Sequence, residues 1–282
     1  MPKNFNWDWQ IKPESSWIGV SWKELYSYKD LLFSLTRKDF LGSYQQTLLG
    51  PFWVFFQPIL TVLTYVLVFN RVIGIKTGVI PPLLFNLTGI VLWNFFSEVF
   101  FSTSRTFTDN AHIFEKVYFP RIIVAFSALW LQVILFFFQF ILLAMVYAYY
   151  LYAGNVGFNL LRMLIIFPVL AITGGIGFGA GLIFSVLTAK YRDLLSLLNL
   201  LIRLLMFLCP IFYSLEMVPP KVRWLVQINP LSVQFEAFRY AFIGKGSFTE
   251  LQFIYGGVFM IILVYCAVLV FNKWGDRLMD YL

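Results

Sequence analysis

Between Arg121 and Arg162 the chain reads IIVAFSALWLQVILFFFQFILLAMVYAYYLYAGNVGFNLL (122–161), forty residues without a charged side chain. A helix crosses a ~30 Å hydrocarbon core with about 20 apolar residues at ~1.5 Å each, so this run predicts one long span ending near Tyr150 and a turn at Gly154-Asn155. The remaining composition agrees. Of 282 residues 60% are hydrophobic, 20% aromatic and 12% charged, whereas a soluble domain carries roughly 45–50% apolar and about 25% charged residues. Too few polar side chains remain to coat a water-facing surface, which excludes a soluble globular protein and makes the chain an integral membrane protein.

Uncharged runs of similar length predict six spans over 52–70, 82–104, 121–150, 163–189, 194–213 and 251–272. Two of them carry a charge, Glu98 in the second and Arg203 in the fifth. Residues 1–30 hold Trp, Asp, Glu and Lys in place of an apolar h-region, so no cleavable signal peptide is expected. With the N-terminus taken as cytoplasmic, 13 basic residues fall in 1–51, 105–121, 190–193 and 273–282 and 7 on the opposite side. That bias predicts both termini in the cytoplasm, and the formal charge of +7 reads as orientation and contact with anionic lipid, not nucleic acid.

Three further segments are neither spans nor simple loops. In residues 22–41 the apolar Leu25, Tyr28, Leu32 and Leu35 recur at helical spacing, with Lys29, Asp30, Ser34, Arg37 and Lys38 elsewhere on the turn. This predicts an amphipathic helix lying in the membrane surface, or else a cytoplasmic helix packed on the rest of the chain. FTDNAHIFEKVYFP (107–120) is a polar interruption in which Thr108 or Asp109 can cap a short cytoplasmic helix over 107–118 and Pro120 stops it. It reads as a plain loop or as a handle for a soluble partner. Residues 214–246 contain two apolar stretches too short to cross, broken at Asn229-Pro230, with Ser232 as a cap. They predict a re-entrant helical hairpin at the outer face that meets the outer leaflet through Trp224, Phe235 and Phe238. Irregular backbone at that depth survives only where protein covers it or a watery cavity receives it, which makes the hairpin a candidate gate. The fold class is therefore an all-α polytopic membrane protein: six transmembrane helices, an interfacial helix, a short cytoplasmic helix and the outer hairpin.

Cys209 and Cys266 lie in apolar runs and His112 has no partner at ligand spacing, which argues against a metal site. No Gly-x-x-x-x-Gly-Lys-Ser/Thr loop is present, and Gly244-Lys245-Gly246-Ser247 lacks the upstream glycine. No carboxylate pair or Ser/His/Asp set gathers at one membrane face, which disfavours an embedded hydrolase or glycosyl transferase. Gly175/Gly179 and Gly177/Gly181 have small-x-x-x-small spacing and read as helix packing.

LLFSLTRKDFLGSYQQTLLGPFWVFFQPIL (31–60), LWNFF (92–96), NAHIFEKVYFPR (110–121), KYRDL (190–194) and CPIFYSLEMVPPKVRWLVQINPLSVQFEAFRYAFIG (209–244) follow one another in an order that resembles the ABC-2 type permeases of polysaccharide exporters. The first 22 residues, rich in Trp7, Trp9, Trp17 and Trp22, look like an individual extension. The resemblance implies a transmembrane subunit of a transporter for O-antigen, capsule or teichoic acid in the bacterial cytoplasmic (inner) membrane, working as a homodimer with two cytoplasmic ABC ATPases. No cofactor is expected in this chain, ATP and Mg being bound by the partner ATPase, and the substrate would be a glycan on polyprenyl pyrophosphate. It also implies a coupling helix carrying Asn110, His112, Phe114, Glu115, Lys116 and Tyr118. The N-terminal helix would be a lateral gate, the 210–246 region the outer gate, and Phe52, Trp53 and Phe56 channel residues.

Arg37 and Lys38 end the amphipathic helix just before the first span, where cations could meet a pyrophosphate headgroup or simply obey the positive-inside rule. Arg203 and Glu98 are expected either to pair with each other or to face the aqueous channel. Two competing readings are an ABC-2 exporter of a small drug-like molecule or ion and a lipid-modifying membrane enzyme.

Overall fold

The computed structural model describes residues 26–45, 47–72, 74, 81–114, 119–191, 193–244 and 246–278. Helices dominate: α1 Lys29–Tyr44, α2 Trp53–Tyr65, α3 Pro82–Ser104, α4 Thr106–Phe114, α5 Ile122–Tyr152, α6 Leu160–Met163, α7 Ile166–Lys190, α8 Leu194–Leu208, α9 Pro220–Ile228, α10 Pro230–Ile243 and α11 Glu250–Leu278. Their boundaries follow backbone chemistry. Prolines open α3, α9 and α10 at the first turn, where their missing N–H has no intrahelical partner anyway. Gly244, at φ 72°, closes α10 by sending its N–H back to Tyr240 O at 2.9 Å, a left-handed cap that a side chain would strain.

Among the described residues, five helical stretches are long and apolar enough to cross a membrane: Gly50–Val68, Pro82–Ser104, Ile122–Tyr152, Leu160–Lys190 and Glu250–Trp274. The expected fifth span is different. Its helix, α8, has 15 residues, or ~22 Å of rise against a ~30 Å core. Beyond Leu208 the backbone leaves the helix, yet Cys209, Ile211 and Phe212 are buried.

At the centre stands α7, flanked by α3 and α11. A Cβ added at Gly177 or Gly181 would lie 3.0 or 2.9 Å from the α3 carbonyls of Phe96 and Phe100, and one at Gly179 would press on Leu263 and Val264 of α11. One glycine face therefore lets α3 approach and the other lets α11 approach, as the small-residue spacing predicts. α1 lies against α5 through Phe33–Trp130 and Phe40–Phe138 ring contacts and through Thr36 Oγ1, which donates to Leu32 O and reaches Ser127 O at 3.4 Å. Tyr28, Leu32 and Leu35 do form the packed face, while Arg37 and Lys38 are exposed.

The two hairpin helices break at Asn229. Its side-chain oxygen accepts from Leu231 N at 3.0 Å and caps α10. That corrects the expected cap, because Ser232 Oγ is buried and has no hydrogen-bond partner. A second correction concerns Phe235 and Phe238, which are 1% and 0% exposed and cannot meet lipid. α10 packs against α3, α7 and α11 at once, so every residue from Leu231 to Arg239 is buried. Trp224 on α9 is exposed.

Candidate functional site

At the Pro82 end of α3 the hairpin is held by a buried charge pair. Arg239 and Glu236 lie one turn apart on α10, and Arg239 Nη1 donates to Glu236 Oε1 at 3.1 Å. Arg239 Nη2 donates to Ile211 O at 2.6 Å, and its guanidinium sits 3.8 Å from the centroid of the Phe85 ring on α3. Glu236 Oε2 in turn accepts from Ser247 N at 3.1 Å. One side chain thus satisfies the irregular backbone after α8 and clamps α10 to α3. Burial pulls the Arg239 guanidinium down to about 10, opposed by Glu236, so it stays charged at neutral pH. Gly89 is required here, since a Cβ would stand 2.8 Å from Ile211 O. Asn229 Nδ2 also reaches Cys209 Sγ at 3.3 Å, a second tie between hairpin and loop.

At the Ser104 end, α4 continues from α3 across Arg105 and kinks at Asn110, whose φ of −119° departs from helix. Phe107 stacks on Phe271 of α11 and packs against Phe114, which meets Phe119. Phe114 is therefore buried and seats the helix on the rest of the chain. Asp109 is the exposed side chain beside Asn110, which is half-buried. Glu115, Lys116, Tyr118 and the His112 side chain, all expected in this surface, lie outside the described residues, as do the N-terminal tryptophans and Leu25. Asp39 of α1 is half-buried near Asp109. Burial raises its carboxyl above the ordinary range, Lys38 opposes the shift, and Asp109 adds to it. Asp39 is thus within electrostatic reach of Asp109, and Arg37 and Lys38 on the same helix are exposed.

Between these ends, Phe52, Trp53 and Phe56 project from the start of the first span and are exposed in the single chain, Trp53 and Phe56 packing edge-on at 5.9 Å. Glu98 and Arg203 are exposed too, on helices that do not come together, and no ion pair joins them among the described residues. The pairing expectation is set aside: α8 is packed on α7, and its Leu197, Leu200, Leu201 and Leu204 are exposed in the single chain. An unpaired charge in a span costs about 2.5 kcal/mol or more, which an aqueous path or a partner surface would relieve.

Residues 30–243 match the family described as ABC-2 type transporter. The chain belongs to that family. Two O-antigen export system permease proteins of Klebsiella pneumoniae are each 29% identical to this ABC-2 protein, over 257 and 256 residues, covering 90% of the chain and 95% of each relative. A third, from Myxococcus xanthus, is 26% identical over 199 residues, 70% of this chain and 73% of its own. ABC-2 proteins are transmembrane subunits and not ATPases, in keeping with a chain that lacks a phosphate-binding loop. Sequence reasoning missed the Arg239–Glu236 clamp in this ABC-2 chain. The available signal was an acid and a base three residues apart in the otherwise uncharged stretch 231–243.

Proposed function

We propose that this ABC-2 protein is the permease subunit of a transporter that exports an O-antigen glycan, carried on polyprenyl pyrophosphate, across the bacterial inner membrane. The observation that carries the reading is the near full-length likeness to O-antigen export permeases. Two copies would enclose the channel and two cytoplasmic ATPases would bind ATP and Mg. α4, with Asp109 and Asn110 at its kink, would take the ATPase stroke, and its buried Phe107 and Phe114 would pass it to α11 as one rigid body. α1, with Arg37 and Lys38 beside the membrane, would admit the lipid sideways. α9 and α10 would close the outer mouth, and Phe52, Trp53 and Phe56 would give sugar rings shallow, repeated stacking. In this reading α8 and the buried 209–212 segment together make the sixth crossing, with both termini cytoplasmic.

Reconstitution of the permease with its ABC ATPase from the native host tests the function. Lipid-linked glycan from the native host should stimulate ATP hydrolysis and enter the vesicles. A transporter stimulated by a small apolar drug and indifferent to the glycan lipid overturns the reading. Single cysteines at Lys76 and Lys245 should react with an impermeant thiol reagent from outside and one at Lys116 should not, and the reverse pattern refutes the topology.

A further inference from the structure

Of the 23 residues of α3, seventeen are buried, and the break in that burial is ordered. Apart from Pro82 and Leu83 at the start and Ser102, the unburied residues are Asn94, Glu98 and Phe101, at intervals of four and three, which at about 100° per residue puts them within a ~60° arc, and Arg105 caps the helix one turn beyond Phe101. Glu98 and Arg105 are exposed and Asn94 and Phe101 half-buried. The arc is a polar strip with an aromatic rung, Arg105 lying 6.0 Å from the centroid of the Phe101 ring.

Other elements extend it. Asn94 Nδ2 donates to Gln139 Oε1 of α5 at 3.4 Å, a long bond that leaves both amides with free capacity. At the end of α1, Tyr44 is half-buried, its phenol held above the ordinary range by burial and then by Glu98. Tyr44 packs on Phe40, Phe40 on Phe138, and Phe138 on Phe55 of the first span, with centroids 5.2, 6.4 and 6.0 Å apart. A carboxylate, two amides and a phenol therefore gather beside aromatic faces where α1, α2, α3 and α5 meet.

We propose that the strip from Asn94 through Glu98 to Arg105, with Gln139 and Tyr44 beside it, is a saccharide-binding surface for the sugars next to the pyrophosphate. This rests on the function proposed above and deepens it. Carboxylate and amide oxygens accept from sugar hydroxyls, amide N–H groups donate to them, aromatic faces receive the C–H side of the ring, and Arg105 supplies a cation for the phosphate end. Glu98 lies six residues before Ser104, ~9 Å by helical rise, so the strip runs from the membrane surface toward the middle. A second copy of the chain fits it poorly. Two-fold symmetry about the membrane normal sets each residue opposite its own depth, which would bring carboxylate toward carboxylate while Arg105 stays ~10 Å lower.

The test compares binding of two probes to the reconstituted transporter: the polyprenyl-pyrophosphate-linked glycan from the native host and polyprenyl pyrophosphate without sugar. Glu98→Gln combined with Asn94→Ala should weaken glycan-lipid binding about tenfold, equivalent to about 1.4 kcal/mol, and change the Kd for the sugar-free lipid by less than about twofold. Glu98→Asp should recover part of the loss. Equal losses for both probes, or glycan affinity unchanged, overturn the proposal. Loss of the homodimer in Glu98→Gln, read by native mass spectrometry, also overturns it by making the strip an interface. A wild-type transporter that neither binds nor moves the glycan lipid overturns the proposed function; a wild type that does so, with a Glu98→Gln form that binds equally well, overturns the strip alone.

Discussion

Replacing Arg239 by Met keeps most of the side-chain length and removes the guanidinium. Three contacts go with it: the 2.6 Å hydrogen bond to Ile211 O, the 3.1 Å bond to Glu236 and the cation–π contact with Phe85. Glu236 then stays buried with Ser247 N as its remaining donor, and a carbonyl in irregular backbone is orphaned. Breaking a buried ion pair from one side costs about 3–5 kcal/mol, because the surviving charge keeps its desolvation penalty without its partner. Glu236→Gln should cost less, since the amide oxygen can still accept one of the two bonds. The double variant should then be less destabilised than the sum, with a coupling of about 1–3 kcal/mol. Arg239→Lys should rescue little, because one ammonium cannot span the two acceptors in the planar fork that Arg offers. Equilibrium denaturation of the purified permease in detergent, read by tryptophan fluorescence, gives all four values. Arg239→Met within about 1 kcal/mol of wild type, or a strictly additive double variant, would refute the clamp.

Gly181→Leu should destabilise the fold by about 1–3 kcal/mol or more, because the new side chain starts 2.7 Å from Thr103 Cβ and 2.9 Å from Phe100 O, whereas Gly42→Ala, with nothing within 4 Å, should stabilise α1 by about 0.5–1 kcal/mol; melting temperatures of the two purified variants check the contrast. At Asp39 the carboxyl is raised by burial, so the folded chain binds its proton more tightly than the unfolded one and stability falls as pH climbs from the ordinary carboxylate value of 3.8 through the folded value. Asp39→Asn should therefore melt higher than wild type at pH 7 and lose that advantage near pH 4, and an Asn form no more stable at pH 7 counts against it. Arg37→Gln with Lys38→Gln should abolish most of the glycan-lipid stimulation of the ATPase while cysteine labelling shows the topology kept; full stimulation would leave these exposed cations as orientation signals.

Helices that face lipid were legible from the sequence because their cause is one-dimensional: an uncharged run long enough to cross must be helical to satisfy its backbone. The stretch 122–161 and the helix Ile122–Tyr152 illustrate this, and the glycine spacing of 175–181 foretold the approach of α3 and α11 for the same local reason. What stayed hidden depends on partners distant in sequence. Phe235 and Phe238 read as lipid contacts because their segment is short and polar-flanked, yet three-sided packing buries them. No local rule reports such burial. Glu98 and Arg203 invited a pair since both are charges in spans, yet no ion pair joins them among the described residues.

The shortness of α8 and the clamp at Arg239 have one cause. A segment of 20 apolar residues ordinarily stays helical through the bilayer, but Pro210 supplies no N–H and disfavours a helical Cys209, so the helix ends at Leu208. The following carbonyls then need donors where water is scarce, and the hairpin brings one, the guanidinium of Arg239 on Ile211 O. Gly89 leaves the space for that meeting, and Asn229 adds a tie to Cys209. The irregular stretch is thus stable only while α10 is docked. Lifting α10 from α3 would therefore either carry Ile211 with it or leave its carbonyl without the Arg239 donor, which couples the docking of α10 to the end of α8.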